Sequence, residues 1–116
     1  MTNLTDFFKL AADETRLRII LLLAQDKLCV CQICGILGLP QPKVSKHLAK
    51  LRDMRFVIDE RKEKYIYYSL NINDDTIRSL VKNIVAQKSD YPQVSEDAKK
   101  LVNKEIYLHQ CQDKLF

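Results

Sequence analysis

Two hydrophobic periods meet in the middle of this chain, and their order constrains the fold more than any other feature. Val44, Leu48 and Leu51 recur at i, i+4 and i+7, the spacing of a helix with one buried stripe. From Phe56 onward the period drops to two, with Ile66, Tyr68 and Leu70 alternating against Tyr65, Tyr67 and Ser69. Phe56-Val57-Ile58 and the stretch 65–70 are rich in β-branched and aromatic residues and flank a charged tip at 59–64, which predicts a two-stranded hairpin. Two strands alone are marginal in water, so the hairpin must rest on helices.

The flanking sequence supplies them. Leu4 to Ala12 is a short apolar segment, and Asp13 reads as the N-cap of a helix striped by Leu17, Ile20, Leu21 and Ala24, with Glu14 in its first turn. A short helix is expected after Leu28-Cys29-Val30-Cys31, ending near Gly35 or Gly38. Pro40-Gln41-Pro42 opens the helix that carries Val44, Leu48 and Leu51. Beyond the hairpin, Asn73, Asp74 and Asp75 start a helix with Ile77, Leu80, Val81, Ile84 and Val85 on its apolar face. After a break at 88–92, Ser95 is expected to cap a last helix carrying Ala98, Leu101, Val102, Ile106 and Leu108. Two short helices joined by a tight turn, the second basic and followed at once by a hairpin, outline a winged helix-turn-helix: mostly α, in the α+β class. The 116 residues divide into this unit, 1–88, and a C-terminal helical segment, 89–116.

Composition excludes several functions. Only Gly35 and Gly38 are glycines, so no glycine-rich phosphate loop exists and a nucleotide-binding enzyme is not expected. The longest apolar run is the six residues 19–24, far short of the roughly 20 that span a bilayer. The first residues lack the basic-then-apolar order of a secretory signal, and a cytoplasmic protein is expected.

The net charge is a modest +4, but its distribution is informative. Residues 41–54 hold Lys43, Lys46, Lys50 and Arg52 against Asp53 alone, a local +3. A basic helix in the second position of a helix-turn-helix suits double-stranded DNA, because its cations neutralise phosphates while polar groups at its start reach base edges. Gln41, Lys43, Ser45, Lys46 and His47 are assigned to that surface, with Lys50 among the phosphate contacts. His47 has a competing reading as a half-buried helix histidine that touches no DNA. At the hairpin tip three cations face three acids, so the wing is expected to add one or two phosphate contacts, from Lys62 or Lys64.

Three of the four cysteines, Cys29, Cys31 and Cys34, lie within six residues, with no acid or histidine among their immediate neighbours. Thiolates select soft ions. An all-sulfur, three-coordinate site suits As(III) or Sb(III), whereas a closed zinc site needs a fourth ligand. On a helix Cys31 and Cys34 share a face, but Cys29 and Cys31 stand about 200° apart around the axis. Either Cys29 lies just outside the helix start, or binding unwinds the first turn, a distortion that would reposition the helix that follows. The same thiols could instead sense Cd, Pb, Zn or oxidation, form a redox couple, or merely pack as small hydrophobes. A thiol oxidoreductase would need a βαβ setting that the sequence lacks.

Leu28-Cys-Val-Cys-Gln-Ile-Cys34, followed by Gln41-Pro-Lys-Val-Ser-Lys-His-Leu-Ala-Lys-Leu51, resembles the ArsR/SmtB family of metalloregulatory repressors, and its arsenic-responsive members in particular. The segment Leu10 to Ile19 matches the family's first-to-second helix junction, and the likeness extends from about Leu4 to Val85. The resemblance implies a homodimer that represses a resistance operon and leaves its operator when As(III) or Sb(III) binds, with Cys29, Cys31 and Cys34 as ligands and no organic cofactor. The dimer is expected to form through the N-terminal segment and the C-terminal helices. The acids that usually flank the family's Cys-Val-Cys are replaced by Lys27 and Gln32, and the C-terminal Asp-x-His site is absent, with His109 alone beside Glu105. Both departures favour As or Sb over zinc. Glycines common in the family before the first strand and in the wing are replaced by Arg55 and Glu63, and a positive φ at Arg55 would carry strain of order 1 kcal/mol. Cys111 lies in a tail without a match and is expected to be a bystander.

Overall fold

A computed structural model describes residues 2–108 of the chain. Six α-helices and three strands run in the order α1 (Thr2–Ala11), α2 (Glu14–Leu23), β1 (Leu28–Cys29), α3 (Val30–Leu37), α4 (Gln41–Asp53), β2 (Val57–Lys62), β3 (Tyr65–Leu70), α5 (Asp75–Ala86) and α6 (Pro92–Leu101). Single 3-10 turns follow α5 at Lys88–Asp90 and α6 at Lys104–Tyr107. This is the winged helix-turn-helix read from the sequence, with α3 and α4 as the helix pair and β2–β3 as the wing.

The helix starts obey local chemistry. Asp13 accepts the Arg16 N–H at 3.0 Å, and Asp74 accepts the Ile77 N–H at 3.0 Å, so each N-cap satisfies an otherwise orphaned donor. Two expectations fail. The last helix starts at Pro92 with Tyr91 as its N-cap, three residues ahead of Ser95, because proline suits a first turn whose N–H groups need no partner. It also stops at Leu101, leaving Val102 and Ile106 exposed.

The sheet has three strands, against the expected two. Leu28 and Cys29 pair antiparallel with Tyr68 and Tyr67, giving the order β1-β3-β2. A two-residue strand is too short to leave a periodic signal. Its effect is large nonetheless, because it welds the cysteine-bearing segment to the inner strand of the wing.

At the centre lies α2, whose residues Ile19 to Leu23 are all buried. A stripe was expected on this helix, but it is surrounded on nearly every side. Val44, Leu48 and Leu51 of α4 are fully buried, as are Leu28, Ile33, Ile36 and Ile77. Each such side chain contributes roughly 2 kcal/mol of burial. Phe7 meets Phe56 edge-on at 5.8 Å, which holds α1 over the start of the wing.

Arg55 and Glu63 both adopt positive φ, 66° and 59°. Behind α4 the Phe56 N–H bonds to the Leu51 carbonyl and the Arg55 N–H to that of Arg52, both at 2.9 Å, the Schellman pattern in which the left-handed position is ordinarily glycine. Buried Leu51 and Phe56 complete that motif, and the Asn71 amide donates to the Arg55 carbonyl at 3.0 Å. Glu63 begins the two-residue turn between Lys62 and Tyr65, again a place where glycine is usual.

Candidate functional site

Helix α4 buries one face and presents the other. Lys43, Lys46 and Lys50 are exposed along it, and Gln41 and Ser45 are half-buried at its start, where the Gln41 side-chain amide donates to the Ser45 hydroxyl at 3.2 Å. The geometry thus places Gln41, Lys43, Ser45, Lys46 and Lys50 together on the helix that follows the tight turn. Lys62 and Lys64 are exposed on the wing, and the Lys64 ammonium stands 5.7 Å from the centre of the Tyr65 ring. Arg52 pairs with Asp59 at 3.3 Å, bracing the end of α4 against β2.

His47 is half-buried, with Nδ1 3.4 Å from the Arg16 guanidinium, which itself donates to the Leu10 carbonyl at 2.8 Å. Loss of hydration lowers its pKa; Asp13 opposes this, and Arg16, Lys43 and Lys46 add to it. The ring therefore faces the α1–α2 corner.

The thiols sit directly upstream. Cys29 ends β1 and is the N-cap of α3, in extended backbone (φ −87°, ψ 168°), so it lies just outside the helix. Its N–H donates to Oε1 of the buried Gln32 at 3.1 Å, fixing the first turn. Burial pushes the Cys29 thiol pKa up, partly offset by the Gln32 backbone N–H. Cys31 and Cys34 follow within α3, and none of the three is in a disulfide. Cys29 (2% exposed) and Cys31 (7%) form a small cluster with Tyr65, Tyr67 and Leu108, whereas half-buried Cys34 packs against the main core. The structure thus brings two thiols together and sets the third apart. Among the described residues no three Cys, His, Asp or Glu side chains already converge as a metal cage. The donor chemistry fits a thiophilic ion, and binding all three would require Cys34 and the Cys29–Cys31 pair to be drawn together.

Sequence reasoning missed the surroundings of this site. Tyr65 and Tyr67, read only as one face of a strand, wall the thiols, their rings edge to face at 6.4 Å. Asp26, Gln32, Glu60, Tyr67, Lys104 and Glu105 border a narrow cleft of about 150 Å³ beside it. The alternation of β3 was legible; its neighbour β1 was not. His109 and Cys111 lie outside the described residues. Within those residues no helix is long and apolar enough to cross a membrane.

Comparison with known proteins gives a consistent picture. Residues 13–59 match the family described as "Bacterial regulatory protein, arsR family". The chain is 38% identical over 96 residues to the arsenic resistance transcriptional regulator ArsR1 of Pseudomonas putida, covering 81% of this chain and 73% of that protein. It is 48% identical over 65 residues to the arsenical resistance operon repressor of Escherichia coli, covering 55% and 56%. Among solved structures, HlyU from Vibrio cholerae superposes with a TM-score of 0.66 at 24% identity, covering 78% of this chain and 92% of that one, a likeness of fold. The AntR antimony-specific transcriptional repressor gives 0.63 at 26% identity, covering 78% and 80%.

Proposed function

This chain belongs to the arsR family of bacterial regulatory proteins, which are DNA-binding transcriptional regulators and not enzymes, and on that premise we propose that it is a repressor released from its operator by As(III) or Sb(III). Cys29, Cys31 and Cys34 are the proposed ligands. The observation that carries this reading is the place of Cys29 at the N-cap of α3, the helix that packs directly against α4. In this reading, drawing Cys34 and the Cys29–Cys31 pair onto one ion distorts the first turn of α3, strains the Cys29–Gln32 hydrogen bond and tilts the helix. Because Val44, Leu48 and Leu51 are fully buried in the core that α3 also packs on, α4 moves with it. Pairing of Cys29 with Tyr67 carries the same displacement into the wing.

The exchange balances without a redox partner. Each As–S bond forms as an As–OH bond breaks, and the thiol proton leaves with the hydroxide as water. The absence of acids flanking the cysteines in the sequence supports these ions over zinc and cadmium, and the similarity to arsenic- and antimony-named repressors is in keeping with it.

The DNA surface in this reading is Gln41, Lys43, Ser45, Lys46 and Lys50, with Lys62 and Lys64 on the wing; His47, assigned to it from the sequence, turns its ring to the α1–α2 corner and takes the competing reading of a half-buried helix histidine. The active species is a cytoplasmic homodimer that reads half-sites about 10 base pairs apart or a multiple. Residues 1–88 carry DNA binding and sensing, and 89–116 add to the interface. The test is fluorescence anisotropy of the protein–operator complex during arsenite titration. Release by arsenite but not by zinc or peroxide is expected, and release that persists in Cys31→Ser would overturn the assignment.

A further inference from the structure

Residues 104–108 lie across the thiols, and we propose that this segment is a lid, closed in the ion-free protein, that must lift before an ion reaches Cys29 and Cys31. The inference builds on the reading of those thiols as ligands. Leu108 packs on Cys29 and Cys31 together with Tyr65 and Tyr67. Tyr107 packs directly against α3 at Gly35: a Cβ built there would stand 2.1 Å from the ring's Cδ1, so only glycine allows this approach. Gly35 follows Cys31 by four residues and therefore lies on the same helix face. Lys104 closes an ion pair with Asp26, which precedes β1. With the lid down, Cys29 and Cys31 are sealed, and the cleft beside them is bordered by Lys104 and Glu105.

The attachments differ in strength in the manner of a hinged lid. Its root, α6, is fixed by the Arg18–Asp97 pair, whose side chains are only 14% and 4% exposed. Its latch, Lys104–Asp26, is 30% and 36% exposed and correspondingly weak. Between them the helix has ended, and Val102 and Asn103 are exposed. The segment itself points Tyr107 and Leu108 inward and Ile106 outward, so beyond the latch its release is opposed chiefly by the apolar contacts of these two side chains. The lid can therefore lift without undocking α6.

The test is the rate at which iodoacetamide labels each thiol of the full-length protein, resolved by peptide mass spectrometry. Lys104→Glu sets like charges together at the latch and should speed labelling of Cys29 and Cys31 by about fivefold. Tyr107→Ala should do so by about tenfold, with thermal melting checked by circular dichroism. Adding Asp26→Lys to Lys104→Glu restores the pair in reverse and should return labelling to the slow rate. Labelling that stays within about twofold of the parent in Lys104→Glu, or fails to slow again in the double exchange, would overturn the lid. Labelling involves no ion, so a protein that failed to bind arsenite would defeat the ligand assignment and leave this result standing.

Discussion

Arg18 and Asp97 stand 79 residues apart in sequence and meet in a two-armed ion pair, Nε to Oδ2 at 3.0 Å and Nη2 to Oδ1 at 2.9 Å. The same Nη2 donates to the Leu37 carbonyl at 3.2 Å, and the Gln93 amide donates to Asp97 at 3.0 Å. One guanidinium thus ties α2, the end of α3 and α6 together, and its hydrogen bonds to Asp97 hold its own pKa further up. Asp97→Ala leaves this cation nearly buried without its carboxylate and should cost about 3 kcal/mol. The midpoint of urea unfolding measures it; an unshifted midpoint would mean that α6 docks without this pair.

His47 sets a pH dependence whose sign is fixed. Its folded pKa lies below the ordinary 6.5, chiefly through desolvation, so the unfolded chain binds the proton more tightly. Stability from this site is intact above pH 6.5 and declines as pH falls below that value through the folded pKa. Asp13 works in a separate, more acidic window, because the Arg16 N–H lowers its pKa from 3.8 and its contribution fades only there. His47→Gln should flatten the loss of stability between pH 6.5 and the folded pKa, read from melting temperatures in a buffer series. An unchanged slope would show that the ring titrates alike in both states.

The fold was legible wherever periodicity ran long enough to be counted. Val44, Leu48 and Leu51 identified α4, and the shift to alternation at Phe56 identified the wing. Two residues of β1 carry no period, so the third strand could be found only by seeing Leu28 opposite Tyr68. The C-terminal boundary failed for a related reason: Leu101, Val102, Ile106 and Leu108 fit a helical stripe, yet Leu101 and Leu108 turn inward while Val102 faces water. The cysteines were identified from sequence as a group, and the structure separates Cys34 from the other two. No local spacing encodes that separation, because it depends on Tyr65, Tyr67 and Leu108 arriving from elsewhere.

Arg55 and Glu63 occupy left-handed backbone without glycine's freedom. Arg55→Gly keeps the Schellman bonds behind α4 and removes the Cβ clash, and it should stabilise the fold by about 1 kcal/mol. Glu63→Gly should act likewise at the wing turn. Chemical denaturation of both variants checks this, and destabilisation by Arg55→Gly would mean that the arginine side chain makes a stronger contact than its backbone strain costs.

Lys46 is exposed on α4 and no ion pair ties it among the described residues. Its role as a phosphate contact predicts that Lys46→Ala weakens binding to all sequences alike and reduces the slope of log K against log salt by about one. Arg52 is engaged with Asp59, so Arg52→Ala should change that slope less. Equal slopes for Lys46→Ala and the parent would remove Lys46 from the interface.

The proposed homodimer has a specific surface to use. Phe7, Phe8, Ala11, Leu17, Leu80 and Ile84 line an almost wholly apolar groove of about 420 Å³ between α1, α2 and α5. Phe8 is exposed in the single chain, and Leu80 and Ile84 are only half-buried. A two-fold interface presents each residue twice, so a charge at Leu80 is felt on both copies. Losing about 2 kcal/mol of burial per copy amounts to about 4 kcal/mol, or roughly a thousandfold in the dimer dissociation constant. Sedimentation velocity of Leu80→Glu should therefore show a folded monomer at concentrations where the parent is dimeric. Affinity for a two-half-site operator should fall far more than affinity for a single half-site. A Leu80→Glu protein that still sediments as a dimer would place the interface on another face.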